Sequence, residues 1–136
     1  MKDIMLPTNN VLIVPKGNKL LFIKSKDIMF IKALDNYCCL YLADKSRCTI
    51  TKTLGSIEVY LKNQNFVRCH KSFIVNLDYI IEIVKGRLYN IILVNEEVIP
   101  ISRRKSSMIL RILNQSHPST FHPENTTVHP IEMTVN

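Results

Sequence analysis

The chain has 136 residues, enough for one ordinary domain and too few for two domains with separate cores. Hydrophobic residues make up 46% of the sequence, which is sufficient for a core and argues against a wholly disordered protein. The chain contains only three glycines, which argues against a glycine-rich phosphate loop, and its formal net charge is +7.

The positive charge is concentrated in the middle of the chain. The first 15 residues contain one lysine and one aspartate, and residues 114–136 contain two glutamates and no lysine or arginine. Residues 16–113 therefore hold 17 of the 18 basic and eight of the 11 acidic residues, a net charge of +9. Such an excess is expected of a surface that neutralises nucleic-acid phosphates, although the solvated lysines of an ordinary basic protein give the same composition.

The sequence shows no sorting signal and no membrane segment. An acid, a proline and asparagines occupy the positions where a signal peptide would be apolar, and no apolar run approaches the roughly 18 residues of a membrane helix. The four cysteines, at positions 38, 39, 48 and 69, form no Cys-x-x-Cys pair. We therefore expect a cytoplasmic protein with reduced thiols and no membrane partner.

Short strands are predicted through the first part of the chain. Runs of apolar residues predict strands at residues 19–24, 27–33, 37–43 and 47–51. Asp35-Asn36 is a turn signal between the second and third of these, and residues 44–46 join the last two into a hairpin. Leu54, Ile57 and Leu61 recur at helical spacing, so a short helix is predicted there with Thr53 as its N-cap.

The rest of the domain is predicted to hold further short strands and a final helix. The strands are expected at residues 66–70, 72–75, 79–85, 88–94 and 98–101. Gly86-Arg87 indicates a two-residue hairpin. Ser102 is the expected N-cap of a helix over residues 103–113, and its apolar face comprises Met108, Ile109, Ile112 and Leu113.

No catalytic or metal-binding pattern stands out in the sequence, which has no Gly-x-Ser-x-Gly, Walker or His-Glu-x-x-His motif. Cys69 and His70 are neighbours on a predicted strand and point to opposite faces, so the imidazole could not activate the thiol. His117, His122 and His129 are five and seven residues apart, which fits no common ligand spacing. We expect no enzymatic activity, no cofactor and no metal site.

Arg103, Arg104 and Lys105 form a basic cluster at the predicted strand-to-helix junction. Helix N-termini carry unpaired amides and a partial positive charge, which suit a phosphate oxygen. Three cations at that end oppose the helix dipole, and this favours an external anion that offsets the repulsion. The alternative is that these side chains are ordinary exposed residues.

The stretch FVRCHKSFIVN, residues 66–76, contains polar residues of two kinds. His70 is expected to satisfy backbone groups within the fold, while Lys71 remains able to reach DNA. Asn76 can either hold a turn or contact the edge of an adenine, and the turn is the favoured interpretation.

These residues resemble the LytTR family of bacterial DNA-binding domains. The motif F-x-R-x-H-x-S-x-x-V-N is present as Phe66, Arg68, His70, Ser72, Val75 and Asn76. It is flanked, in order, by Asp27-Ile28-Met29-Phe30, Tyr37, Thr53-Leu54, Ile80 and Ser102-Arg103. The resemblance covers residues 16–114 and implies a mainly β fold, an elongated arrangement of small antiparallel sheets with one short connecting helix and a C-terminal helix. It leaves residues 1–15 as an N-terminal arm and residues 115–136 as an extended or disordered tail.

The resemblance also implies that loops, and not a recognition helix, contact DNA. The matching positions are Asn36, Tyr37 and Cys38 in the first contact region, Lys71 and Ser72 in the second, and Arg103 and Arg104 in the third. Lys105, in the same basic cluster, is added as a phosphate contact. His70 and Asn76 are framework positions of the motif.

Two functions are compatible with these observations. The first is a sequence-specific transcriptional regulator that binds repeated sites on double-stranded DNA through loops in the major groove, together with a second copy of itself. The second is a protein-interaction module of the same fold that modulates other regulators without binding DNA. The Cys38-Cys39 pair in the first contact region keeps this alternative open. The short N-terminal arm leaves no room for a receiver domain, so we expect a free-standing regulator controlled by a signalling partner or by its own tail.

Overall fold

The computed structural model describes residues 10–62 and 64–116 of the chain. The described residues divide into two units, which are residues 10–102 and residues 103–116. The described part of the first unit contains ten strands in three antiparallel sheets and one α-helix, and the second contains a helix. The mainly β fold class predicted from the sequence is confirmed.

The first sheet is a two-stranded hairpin of β1 (Val11–Lys16) and β2 (Lys19–Lys24). The chain reverses at Gly17, whose φ of 64° lies in the left-handed region that glycine adopts without strain. Leu12 and Val14 alternate with half-buried residues along β1 and are themselves buried. Strand β1 is not among the strands predicted from the sequence, and its first five residues fall in the predicted N-terminal arm.

The second sheet has five strands in the order β5-β4-β3-β7-β6. Its strands are β3 (Ile28–Leu34), β4 (Tyr37–Leu42), β5 (Arg47–Ile50), β6 (Phe66–His70) and β7 (Phe73–Asn76). One face packs into a core that also contains Leu12 and Val14 of the hairpin. Ile31, Leu40 and Ile74 are fully buried in this core, and each such burial contributes about 1.5–3 kcal/mol to stability.

Helix α1 (Leu54–Tyr60) packs against the same core through Leu54 and Ile57. The Thr53 hydroxyl accepts a hydrogen bond from the Ser56 N–H at 3.2 Å, so the predicted N-cap is confirmed. Leu61, the third residue of the predicted apolar face, is also buried. The 3.6-residue period was therefore sufficient to identify this short helix.

The third sheet contains β8 (Ile80–Val84), β9 (Asn90–Leu93) and β10 (Val98–Pro100), with β9 in the middle. The last residue pair between β8 and β9 is Val84 with Asn90. Residues 85–89 therefore form a five-residue connection, and the two-residue hairpin predicted at Gly86-Arg87 is wrong. Gly86 lies within this longer loop with no positive φ, so the primed turn that a two-residue hairpin requires is not formed.

The second unit begins with a short 3₁₀ turn, Arg103–Lys105, followed by α2 (Ser106–Ser116). Ile109 and Leu113 are buried, as the predicted apolar face requires. The α-helix starts three residues later than predicted. The Ser102 hydroxyl is buried and has no hydrogen-bond partner among the described residues, so it does not form the predicted N-cap.

The C-terminal helix also ends later than the predicted residue 113. Gln115 and Ser116, which were assigned to the tail, belong to α2. The remainder of the tail, with its three histidines, lies outside the described residues. Neither helix of the described chain is long and apolar enough to cross a membrane.

Asn76, at the end of β7, is one of the few buried polar residues of the described chain. Its side-chain Nδ2 donates to the Ile28 carbonyl at 2.9 Å, and its Oδ1 accepts from the Asp78 N–H at 2.9 Å. The amide therefore joins β7 to the start of β3 and fixes the turn that leads to β8. The framework interpretation of Asn76 is confirmed, and its burial removes it from contact with a base edge.

We predict that Asn76→Ala lowers the free energy of unfolding by about 1–3 kcal/mol, because the Ile28 carbonyl and the Asp78 N–H lose their partner. Urea denaturation followed by circular dichroism measures the loss. Asn95→Ala is the matched control, because Asn95 accepts a similar turn hydrogen bond from the Glu97 N–H at an exposed position where water can replace it. Equal losses for the two variants would contradict the prediction.

Candidate nucleic-acid interface

Two of the predicted contact regions lie at the same end of the five-stranded sheet. Strand β3 is paired to β4 on one side and to β7 on the other. It ends at Leu34, where the Asp35-Asn36 turn leads into β4, and Lys32 on β3 faces Phe73, the first residue of β7. The β6–β7 turn, Lys71-Ser72, therefore lies beside the β3–β4 turn. The Ala33 N–H donates to the Ser72 carbonyl at 2.9 Å and joins them directly.

The β3–β4 turn presents two of the predicted contact residues to solvent. Asp35 has a φ of 52°, a left-handed conformation that an aspartate tolerates in a tight turn. Asn36 and Tyr37 are both exposed. Their side chains can therefore reach a ligand without any rearrangement of the sheet.

Cys38 is a correction to the predicted site. Its side chain is 0% exposed and belongs to the hydrophobic core, so it cannot contact DNA while the sheet is intact. Burial raises the pKa of the Cys38 thiol to about 11, against a smaller opposing effect of the Arg68 guanidinium. Cys39, Cys48 and Cys69 are also buried.

The β6–β7 turn is held by the guanidinium of Arg68. Its Nη2 donates to the Lys71 carbonyl at 2.7 Å and its Nε donates to the His70 carbonyl at 3.3 Å. Its Nη1 forms an ion pair with Glu58 of α1 at 3.1 Å. An exposed ion pair contributes under about 1 kcal/mol, so the charge-assisted bonds to the two carbonyls are the more important contacts. From the sequence, Arg68 is recognised only as a motif position, and its role in holding this turn is not predicted.

His70 completes the support of the same turn. Its Nδ1 accepts a hydrogen bond from the Ser72 N–H at 3.1 Å, and its ring makes an edge contact with Phe73. Burial lowers the pKa of His70, and the positive charge of Lys71 lowers it further. His70 is therefore a neutral framework residue, as predicted, while Lys71 is exposed at the tip of the turn.

Lys32 adds a cation that sequence reasoning did not select. It lies on β3 between the two turns, with Cys39 and Phe73 as its cross-strand partners. Its Nζ is 5.9 Å from the centre of the Phe73 ring, a cation–π contact that holds the ammonium at the sheet surface. The alternation of β3 could have placed Lys32 on that face, but only the pairing with β7 places it beside Phe73, the residue that follows the β6–β7 turn.

The basic cluster belongs to the second unit and is described by itself. Arg103 and Arg104 are exposed and Lys105 is half-buried. The Ser106 hydroxyl donates to the Arg103 carbonyl at 2.9 Å, which stabilises the turn ahead of α2. The cluster therefore occupies a 3₁₀ turn and not the first turn of the α-helix, so its three cations oppose the helix dipole less than the sequence predicted.

The described residues also bear on metal binding. Within residues 10–62 and 64–116, no three His, Cys, Asp or Glu side chains lie close enough together to hold a metal ion.

We predict that the free energy of unfolding falls as the pH drops below about 6.5, because the unfolded chain binds a proton at His70 that the folded chain resists. Protonation of Nδ1 would also break its bond from the Ser72 N–H. Urea denaturation between about pH 5.5 and 7.5 measures this slope. His70→Asn, which can keep an acceptor near the Nδ1 position without titrating, should have a smaller slope. The three other histidines are present in both the wild type and His70→Asn. An identical slope in the two proteins would therefore contradict the assignment of the pH dependence to His70.

Comparison with known proteins agrees with this geometry. The family of LytTr DNA-binding domains matches residues 18–114 of the chain. The Sensory transduction protein LytT of Bacillus subtilis is 37% identical over 68 residues, a match that spans 48% of this chain and 28% of that protein.

A solved structure shows the same fold. It is the LytTr DNA-binding domain of a Bacillus cereus protein described as a methyl-accepting/DNA response regulator. The structural alignment spans 77% of this chain and 97% of that domain, with a TM-score of 0.67 and 23% sequence identity. The resemblance inferred from the F-x-R-x-H-x-S-x-x-V-N motif is confirmed over nearly all the described residues. The chain belongs to the LytTR family, a family of DNA-binding domains and not of enzymes.

Proposed function

We propose that this chain is a cytoplasmic, bacterial transcriptional regulator that recognises repeated DNA sites through its turns. The observation that carries the proposal is the placement of the β3–β4 and β6–β7 turns at one end of a single sheet. Neighbouring strands are about 4.8 Å apart, so the centres of the two turns are separated by roughly 10 Å. That distance lets both turns contact one duplex at adjacent positions.

The β6–β7 turn supplies the fixed part of this contact. Its backbone is held by Arg68 and His70, and the carbonyl of Ser72 is bonded to β3. The side chains of Lys71 and Ser72 are left to meet DNA, the first as a cation for a phosphate or guanine and the second as a hydroxyl. A turn that is already ordered loses little conformational entropy on binding.

The β3–β4 turn supplies Asn36 and Tyr37. An asparagine can form a bidentate contact with an adenine edge, and a tyrosine hydroxyl can bond to a phosphate or a base. Lys32 lies between the two turns and adds positive charge to the same end of the sheet. Cys38 is buried and is therefore not part of this surface.

The basic cluster supplies a further contact region. Arg103 can present the fork of its guanidinium to O6 and N7 of a guanine, which is the commonest specific contact in the major groove. Arg104 and Lys105 fit phosphates on either side of such a base. We assign base recognition to Arg103, and phosphate contacts to the other two.

The alternative function, a protein-interaction module that does not bind DNA, depended on the Cys38-Cys39 pair. Cys38 is 0% exposed and Cys39 is also buried, so neither residue replaces a DNA contact at the surface. The exposed residues of that turn, Asn36 and Tyr37, are compatible with DNA. A signalling partner could still control the regulator through another surface.

The proposal is tested by selecting binding sites from random double-stranded DNA with the purified protein at low salt. We expect enrichment of a sequence that contains a repeat, with affinity that falls steeply as salt is added. A protein that enriches no sequence would favour the protein-interaction module.

We predict that Arg103→Ala weakens binding to the selected site by about 1–3 kcal/mol and relaxes the preference at one base pair. Lys105→Ala is the matched variant two residues away, and it should weaken all sequences alike and reduce the salt slope by about 0.9. Titrations of the selected site and of single-base variants, each at several salt concentrations, measure both quantities. An unchanged site preference in Arg103→Ala, or a loss of preference in Lys105→Ala, would reverse the assigned roles.

A further inference from the structure

The outer face of the β1–β2 hairpin is apolar and exposed. Leu20 is 57% exposed and Phe22 is 68% exposed. Their cross-strand partners, Pro15 and Ile13, lie on the same face and are half-buried. The other face of the hairpin already packs into the core, so this one is not needed for folding. These four residues are neighbours across the two strands, and contiguous exposed apolar side chains, unlike scattered ones, mark interaction sites. Lys24 lies on the same face, two residues after Phe22. The hairpin face is the surface formed by Ile13, Pro15, Leu20, Phe22 and Lys24.

The charged side chains within the β1–β2 hairpin are all positive. Lys24 lies on the face itself, and Lys16 and Lys19 flank the turn between the strands. Residues 10–26 contain no aspartate or glutamate. A partner of this face must therefore combine apolar side chains with carboxylates.

The β8–β10 sheet has a surface of that composition. On its outer side lie Val98, which is 56% exposed, Val94, which is 51% exposed, and the exposed Glu82. Glu82, Ile92 and Val98 are cross-strand neighbours, so they share one face. Glu96 and Glu97 lie in the turn between Val94 and Val98. Residues 78–84 and 94–98 contain no lysine or arginine. The sheet face is the surface formed by Glu82, Ile92, Val94 and Val98 together with Glu96 and Glu97 of the turn.

We infer that the hairpin face of one copy of this chain docks on the sheet face of a second copy. Contact of either face with itself would place lysines against lysines or glutamates against glutamates, and such like-charge contacts oppose association. Contact between the two different faces pairs Leu20 and Phe22 with Val94 and Val98, and it brings Lys24 near the glutamates. Both faces belong to every copy, so no other protein is required.

The contact is heterologous, because each copy uses a different surface. Two copies joined in this way keep one free hairpin face and one free sheet face. The number of copies is then set by the number of adjacent DNA sites and not by closure of a ring. This inference therefore rests on the proposed binding to repeated sites.

The small size of the two faces makes the contact weak in solution. A few exposed side chains on two or three short strands bury much less than the surface of a stable dimer. Binding of two copies to adjacent DNA sites raises their effective concentration to roughly the millimolar range, where a weak contact becomes significant. The dilute protein should be monomeric, and its binding to two sites should be cooperative.

The test compares a duplex with one selected site to a duplex with two sites in the same orientation. In gel-shift titrations, the wild-type protein should bind the second site at least about fivefold more tightly than an isolated site. Phe22→Ser and Val98→Ser should each abolish this factor and leave the affinity for one site unchanged. Both residues are exposed, and thermal unfolding checks that the variants remain folded.

Charge reversals test the electrostatic part of the contact. Lys24→Glu and Glu82→Lys should each reduce the cooperative factor. Lys62→Glu is the control, because it removes the same positive charge at an exposed position just after α1, outside both faces. A cooperative factor that Lys62→Glu lowers as much as Lys24→Glu would attribute the effect to net charge and overturn the inference.

A mixture of the Phe22→Ser and Val98→Ser variants tests whether the two faces of the contact are different. A Val98→Ser copy keeps its hairpin face and a Phe22→Ser copy keeps its sheet face, so together they can form one complete contact. The mixture should therefore recover cooperativity that neither variant has alone. If only one of the two substitutions abolishes cooperativity, the contact is symmetric or involves another partner, and the inference fails.

The one-site duplex separates this inference from the proposed function. Loss of one-site affinity in Lys24→Glu would place the hairpin on DNA and overturn the inference, while the regulator function would stand. A protein that binds no DNA contradicts the proposed function. In that case, sedimentation of concentrated protein at low salt decides the inference, since the wild type should exceed the monomer mass and Phe22→Ser should not.

Discussion

Strand β3 has hydrogen-bonded neighbours on both sides, and the arrangement of the candidate interface depends on this constraint. Because β4 and β7 both run antiparallel to β3, the turn that follows β3 and the turn that precedes β7 must lie at the same end of the sheet. The bond from the Ala33 N–H to the Ser72 carbonyl extends the pairing to the edge of the turn. Residues almost forty positions apart in sequence are thereby fixed beside each other with no recognition helix.

Much of the fold could be predicted from the sequence, because most elements are bounded apolar runs or have a clear period. Runs of apolar residues identified β2 and β3, and the spacing of Leu54, Ile57 and Leu61 identified α1. The strand Val11–Lys16 was missed, since it includes a proline and follows a run of asparagines that resembles a loop. Proline is tolerated there because the hairpin has free edges.

The site was harder to predict than the fold. Alternation implies that Cys38 and Cys39 face opposite sides, but it does not indicate that both sides of that strand are covered, and both thiols are buried. The role of Arg68 depends on Glu58, which lies ten residues earlier on α1, and on carbonyls that only the folded turn presents to it. Such contacts between separate elements leave no periodic signal in the sequence. His70 and Asn76 were predicted as framework residues because both are positions of the motif, and the turn bond of Asn76 to the Asp78 N–H is a local one. Its second bond, to the Ile28 carbonyl on β3, was not predicted.

The burial of Cys38 has a chemical consequence for a protein with cysteines so close to its candidate interface. A thiol reacts with oxidants and alkylating agents as the thiolate, and a pKa of about 11 leaves roughly one thiolate in ten thousand at neutral pH. Peroxide or an electrophile would therefore modify Cys38 very slowly while the sheet is closed. Under oxidative stress, the β3–β4 turn should keep its shape, and Cys38 would become reactive only when the domain unfolds.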